Sequence, residues 1–130
     1  MIYSLLVLSS PFSGRGAWRA AEFARSALAR GHSIKRVFFL DDGASGGAVS
    51  AVFPQDELSP IETWAELGQA HSLDLVLCVS SALRRGMLDE DEARRRGKPV
   101  ATVHPAFTIS GLGQLVDAAD GCDRLVTFGG

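Results

Sequence analysis

At 130 residues, with 46% hydrophobic and 22% charged side chains, the chain has the composition of one globular domain spanning 1–130, which excludes a disordered or fibrous protein. A formal net charge of −2 argues against a general electrostatic grip on nucleic acid, which needs a basic surface. Two cysteines, Cys78 and Cys122, are too few for a disulfide-stapled mini-protein or a four-cysteine zinc site.

The run Ile2–Leu8 is almost continuously apolar, as in strands buried on both faces of a parallel sheet. No basic leader precedes it, and it stops at Ser9, short of the roughly 20 apolar residues of a bilayer span. The expectation is therefore a cytoplasmic protein with reduced thiols and no membrane contact. Ser9–Gly16 reads as a loop. The helix after it carries Ala20, Phe23, Ala24, Ala27 and Leu28 on one face, and Gly31 ends it. Ile34–Leu40 is a second strand, and Asp41–Gly47 a flexible loop. Ser59, Pro60 and Glu62 form the start of a second helix: a cap, a first-turn proline and a capping box. Its inner face is Ile61, Trp64, Ala65 and Gly68.

Leu73–Val79 is the third strand, with Cys78 near its carboxyl end. Asp89 and Glu92 cap a short arginine-rich helix closed by Gly97. Pro99–Val103 reads as the fourth strand. Ser110 is placed to cap a last helix whose apolar face is Leu112, Leu115, Val116 and Ala119. Arg124–Phe128 is the fifth strand. The alternation predicts an α/β fold, a three-layer α/β/α sandwich with a five-stranded, mainly parallel sheet and helices on both faces. Ligand chemistry in such folds gathers outside the carboxyl ends of the strands.

Cys78 is the sharpest candidate by that rule. Ser80-Ser81-Ala82-Leu83 after it opens a helical turn, whose free N–H groups favour a thiolate, and Arg84 and Arg85 add to that field. As a nucleophile it is expected to be exposed enough to meet a partner's cysteine. The competing reading is an ordinary core cysteine. Cys122 falls near the amino end of its strand, at the opposite sheet edge, which argues against a Cys78–Cys122 redox pair. Ser13-Gly14-Arg15-Gly16 resembles a phosphate cradle but lacks the full P-loop and dinucleotide patterns. A flavodoxin-like phosphate-ligand module remains an alternative on that loop. Asp41-Asp42 is a Mg²⁺ site or, more commonly, a solvated turn. His32, His71 and His104 show no metal-ligand spacing, so no metal is assigned, although His104 is within reach of the active edge. The arginines around Asp89–Glu92 read as a solvated helix face or as a docking surface for an acidic partner.

Four motifs in order, Cys78-Val79-Ser80-Ser81-Ala82-Leu83-Arg84-Arg85-Gly86, Asp89-Glu90-x-Glu92-Ala93, Phe107-Thr108-x-Ser110-Gly111-Leu112-Gly113 and Cys122-Asp123-Arg124, resemble the DsrE/TusD family of sulfur-relay proteins. The opening strand, the Val37-Phe38-Phe39 strand and the Trp64 helix extend the resemblance over nearly the whole chain. It implies a sulfurtransferase subunit in a heterohexamer with TusB-like and TusC-like subunits. Such a subunit takes a persulfide sulfur from a TusA-like donor and passes it to a TusE-like acceptor, for 2-thiolation of the tRNA wobble uridine. Cys78 maps onto the family's catalytic position. Within the family, a role in dissimilatory sulfur oxidation is the runner-up. The implied chemistry is thiol–disulfide-type exchange at one cysteine, with no metal and no organic cofactor. Direct nucleic-acid binding is not expected.

Overall fold

A computed structural model describes residues 1–130 throughout. Five strands, β1 (Ile2–Val7), β2 (Ser33–Phe39), β3 (Leu75–Cys78), β4 (Phe107–Ser110) and β5 (Arg124–Phe128), form one sheet in the order β4-β3-β2-β1-β5. Every neighbouring pair is parallel. The helices are α1 (Gly16–Ala29), α2 (Pro60–His71), α3 (Val79–Arg84), α4 (Glu90–Arg95) and α5 (Gly113–Asp120).

The chain steps outward from β1 to β4, then returns past β1 to β5. Right-handed crossovers put the helices of the outward steps on one face and the helix of the return step on the other. Leu5, Val7, Val37, Phe39, Leu75, Leu77 and Phe107 accordingly join Ala20, Ala24, Ile61 and Trp64 of α1 and α2 in one large core. The second face is thinner. Its buried residues are Phe38, Val76 and Cys78, packed against Leu6, Leu40 and Leu115 of α5. α5 is pinned there by polar contacts. Ser4 Oγ donates to the Ala118 carbonyl at 3.0 Å, and Arg36 Nη1 donates to the Gln114 carbonyl and to Asp117.

The helix signals act as their chemistry predicts. Ser59 Oγ accepts from the Glu62 N–H at 3.3 Å and Asp89 Oδ1 from the Glu92 N–H at 2.8 Å. Gly31, at φ 85°, ends α1 in a Schellman turn: its N–H donates to the Leu28 carbonyl and the His32 N–H to that of Ala27.

Three expectations are corrected. The fourth strand is Phe107–Ser110, not Pro99–Val103. That earlier stretch contributes only an isolated antiparallel bridge between Val103 and Ala48. Phe107 wins because its ring enters the main core, whereas Pro99 and Val100 are exposed. Ser110 is then the end of β4, and α5 starts after Leu112 without a side-chain cap. On α5 the buried side is Ala118, with Leu115 partly covered, while Leu112 and Val116 are 54% and 69% exposed. Finally, Asp41–Gly47 is a 3₁₀ segment rather than a loose loop. It is held because Gly43 lies against the Val7 carbonyl, where a Cβ would come within 2.1 Å.

Candidate functional site

Cys78 ends β3 and is the N-cap residue of α3. Ser80 and Ser81 therefore occupy the second and third positions of the helix, where N–H groups lack helical acceptors. Ser80 Oγ lies 3.5 Å from Cys78 Sγ. Burial alone would push the Cys78 thiol up. Hydrogen bonding from the Ser81 N–H, the Ser80 hydroxyl, the Ser81 hydroxyl and the Ser80 N–H outweighs it and holds the thiol below its ordinary value. This is the environment that favours a thiolate.

Ser81 is itself held from a second element. Its hydroxyl oxygen accepts from the Asp41 N–H at 3.0 Å, with Asp41 in the left-handed region at φ 53°. Arg85 closes the same junction, donating to the Ser81 carbonyl and to Asp42 at 3.1 and 3.0 Å. The 3₁₀ segment after β2 and the helix after β3 are thus latched across the carboxyl edge of the sheet.

Two expectations about Cys78 change. Its side chain is 1% exposed, not open to a partner. As the fourth residue of a fully buried strand, it points into the thin core with Phe38 and Val76, the cluster against which Leu6, Leu40 and Leu115 pack. The arginines are not its helpers either. Arg85 is spent on Asp42 and Ser81, and Arg84 stands at the far end of α3. The serines do that work, and their signal in the sequence is their spacing, two and three residues after a cysteine that closes a strand.

The remaining candidates separate from Cys78. Cys122 precedes β5, three strand spacings from β3 and at the other end of the sheet. At about 4.8 Å per spacing the lateral offset alone is about 14 Å, twice the reach of a disulfide. Both cysteines are free. His104 leads into the amino end of β4, away from the active edge, and its Nδ1 accepts from the Ala106 N–H.

The glycines of the Ser13–Gly16 loop are explained by chain crossing. A Cβ on Gly16 would sit 1.9 Å from Ser9 Oγ, and one on Gly14 would sit 2.8 Å from the Gly130 carbonyl. The adjoining cleft is lined by Phe12, Arg15, Trp18, Asp56 and Glu57, so two carboxylates stand against one cation where a phosphate would lie. Asp42 is paired with Arg85, and no three His, Cys, Asp or Glu side chains converge as a metal site. No helix is long and apolar enough to cross a membrane.

The comparisons with known proteins agree with this architecture. The sequence model of the DsrE/DsrF-like family matches residues 1–128. DsrE of Allochromatium vinosum is 46% identical over 99% of both chains. A sulfurtransferase TusD homolog of Pseudomonas aeruginosa is 44% identical over 96% of this chain and 95% of its own length, and sulfurtransferase TusD of Cronobacter sakazakii 39% over 98% and 100%. The crystal structure of the ychN protein from E. coli superposes with a TM-score of 0.73, covering 98% of this chain and 100% of that one, at 16% identity. That likeness concerns the fold, and it is the expected α/β sandwich. The chain belongs to the DsrE/DsrF-like family and is one of its sulfurtransferases.

Proposed function

We propose that Cys78 is the sulfur-carrying nucleophile of a persulfide relay. The observation that carries this reading is the hydroxyl and amide environment that holds the Cys78 thiol below its ordinary value, with no second cysteine in reach to resolve it as a disulfide. The Cys78 thiolate attacks the terminal sulfur of a donor persulfide. The donor's S–S bond breaks, its electron pair leaves with the donor thiolate, and the terminal sulfur with its proton becomes part of a Cys78 persulfide. In the second half-reaction an acceptor thiolate attacks that terminal sulfur and Cys78 leaves as thiolate. The two steps balance without external oxidant or reductant. A lowered thiol pKa serves both: it raises the thiolate fraction in the first and improves the leaving group in the second.

The sulfur is buried in the isolated chain, so a small reagent reaches it only slowly, through local opening, and fast transfer needs a docking protein that uncovers it. Exposed Leu112 and Val116, near the Leu115 that packs against the cluster holding Cys78, supply apolar surface for companion subunits. These are TusB-like and TusC-like chains in a cytoplasmic heterohexamer. The donor is a TusA-like protein, the acceptor a TusE-like protein, and the product route is 2-thiolation of the tRNA wobble uridine. Similarity to proteins named sulfurtransferase TusD supports this route. A second reading, sulfur carriage in dissimilatory sulfur oxidation, is favoured by the 46% identity to DsrE of Allochromatium vinosum. Deleting the gene separates the two: loss of 2-thiouridine from tRNA supports the first, and intact tRNA with impaired sulfur oxidation the second.

The chemical claim is tested by mass spectrometry after incubation with a persulfidated TusA-like donor. One added sulfur is expected on the peptide holding Cys78, and none on that peptide in Cys78→Ser. Absence from the wild type, or equal gain in the variant, makes Cys78 a core cysteine.

A further inference from the structure

Segment 83–98 holds six of the chain's 13 lysines and arginines, and its ion pairs do not consume them evenly. Asp91 is spent on Arg94, Glu92 on Arg95 and Arg96, and Asp89 caps the start of α4. Arg85 is taken by Asp42. Arg84 and Lys98 are left with no carboxylate partner, and Arg96 has only an exposed pair with Glu92 at 3.2 Å. The two turns that end α3 and α4 bring these three cations together. Gly86 and Gly97 both adopt positive φ, at 73° and 68°. The N–H groups that follow them, of Met87 and Lys98, return to the carbonyls of Ala82 and Ala93, each at 2.8 Å. Arg84, Arg96 and Lys98 thereby line one cleft of about 430 Å³, whose other walls are Leu83, Gly86 and Leu88.

The chemistry of such a cleft is specific. Guanidinium groups bind carboxylates bidentately, and a lysine adds a mobile point charge. Leu83 and Leu88 offer a short apolar wall. The protein as a whole is acidic, so this is a local basic patch facing a ligand of few charges, not a nucleic-acid track. Its place along the chain relative to Cys78 is set by α3, which starts after Cys78 and ends at Arg84. Six residues at about 1.5 Å each separate the two by about 9 Å along the helix, within the footprint of one docked protein.

We infer that the Arg84–Arg96–Lys98 cleft seats an acidic segment of the protein that exchanges sulfur with Cys78, orienting the incoming thiol or persulfide toward α3. This rests on the relay reading and adds the partner's recognition chemistry to it.

The test uses the full chain, the charge-reversed Arg84→Glu/Lys98→Glu protein, and Arg30→Glu/Arg124→Glu as a control with the same change in charge at exposed arginines elsewhere. Cys78 persulfidation is timed with a persulfidated TusA-like donor and with glutathione persulfide. Delivery onward to a TusE-like acceptor is timed as well. In the cleft variant, at least one protein-to-protein half-reaction should fall about tenfold relative to that variant's own rate with glutathione persulfide. The wild-type advantage should shrink as salt is raised, and the control should follow the wild type. A fluorescein-labelled octaglutamate peptide should bind the wild type at low salt and lose affinity in the cleft variant. Equal protein-to-protein rates in wild type and variant overturn the inference. So does binding of labelled tRNA, and not of octaglutamate, through these residues. A wild type that loads from neither the TusA-like donor nor glutathione persulfide fails the relay reading itself, which is a different outcome.

Discussion

The Asp41 backbone N–H donates to the Ser81 hydroxyl oxygen at 3.0 Å, and Asp41 holds φ 53° while doing so. The bond uses a lone pair of Ser81 and leaves its proton to be donated, and Cys78 is the group that hydroxyl stabilises when ionised. A hydrogen bond to the charged form lowers a pKa, so its removal raises it. In Ser81→Ala the midpoint of the pH profile for Cys78 alkylation should therefore move to higher pH. Loss of the Asp41 N–H bond should also cost about 0.5–1.5 kcal/mol of stability. Ser81→Thr, which keeps the hydroxyl, should restore most of the shift. A midpoint that stays in place or falls in Ser81→Ala would remove Ser81 from the reaction.

Cys122 lies across three strand spacings and at the opposite edge from Cys78. Its only polar contact is a 3.6 Å approach of Sγ to the Ala119 carbonyl at the end of α5. Cys122→Ser should keep most of the sulfur transfer of the wild type, and no Cys78–Cys122 disulfide should form under mild oxidation. Loss of transfer in a well-folded Cys122→Ser protein would transfer the assignment to Cys122.

Much of this arrangement is legible in the residues, because most elements carry local signals that tertiary packing does not contradict. Ser59-Pro60-x-Glu62 and Asp89-x-x-Glu92 satisfy N–H groups with atoms three residues away, so they read correctly without knowledge of the fold. The fourth strand is different. Pro99–Val103 and Phe107–Ser110 are both short and β-prone, and the choice is made because only the second brings an aromatic ring against Phe39. That ring is Phe107, at 5.5 Å between ring centroids, a contact between residues far apart in sequence. The burial of Cys78 was hidden for the same reason. Strand position places it at the carboxyl edge, but its burial depends on the small cluster it forms with Phe38 and Val76, against which Leu115 of the α5 crossover packs. The latch from Asp41 to Ser81 joins loops of two different β–α units, and no local spacing reveals it.

Gly16 begins α1 where the chain passes Ser9 and Gly129. A Cβ there would lie 1.9 Å from Ser9 Oγ and 2.6 Å from Ser9 Cβ. Ser9 is 4% exposed, so neither partner moves freely. Gly16→Ala should destabilise the fold by about 1–3 kcal/mol, the usual cost of overpacking, read as a lower midpoint in urea. Ser9→Gly/Gly16→Ala should recover a large part of it, since the second change removes the atoms in the way. A Gly16→Ala protein as stable as wild type would return this loop to candidacy as a ligand cradle.

Asp117 ties α5 to β2. Its Oδ2 accepts from Arg36 Nη1 at 2.9 Å and lies 3.4 Å from Lys35 Nζ. The Arg36 and Lys35 hydrogen bonds, with their charges, hold the Asp117 carboxyl below the usual carboxylate range. A folded-state pKa below the unfolded one means that the group stabilises the fold fully above the unfolded value, about 3.9. That contribution is lost as pH falls through the folded value. Asp117→Asn should accordingly melt below the wild type at pH 7, by a modest amount for so exposed a pair. The gap should narrow once the pH drops under about 4. Because Leu115 of α5 packs against the small cluster that contains Cys78, loosening α5 should also speed Cys78 alkylation at pH 7. Equal melting at neutral pH, or a gap that persists undiminished in acid, would show that α5 is held by Ser4 and its apolar contacts and not by this carboxylate.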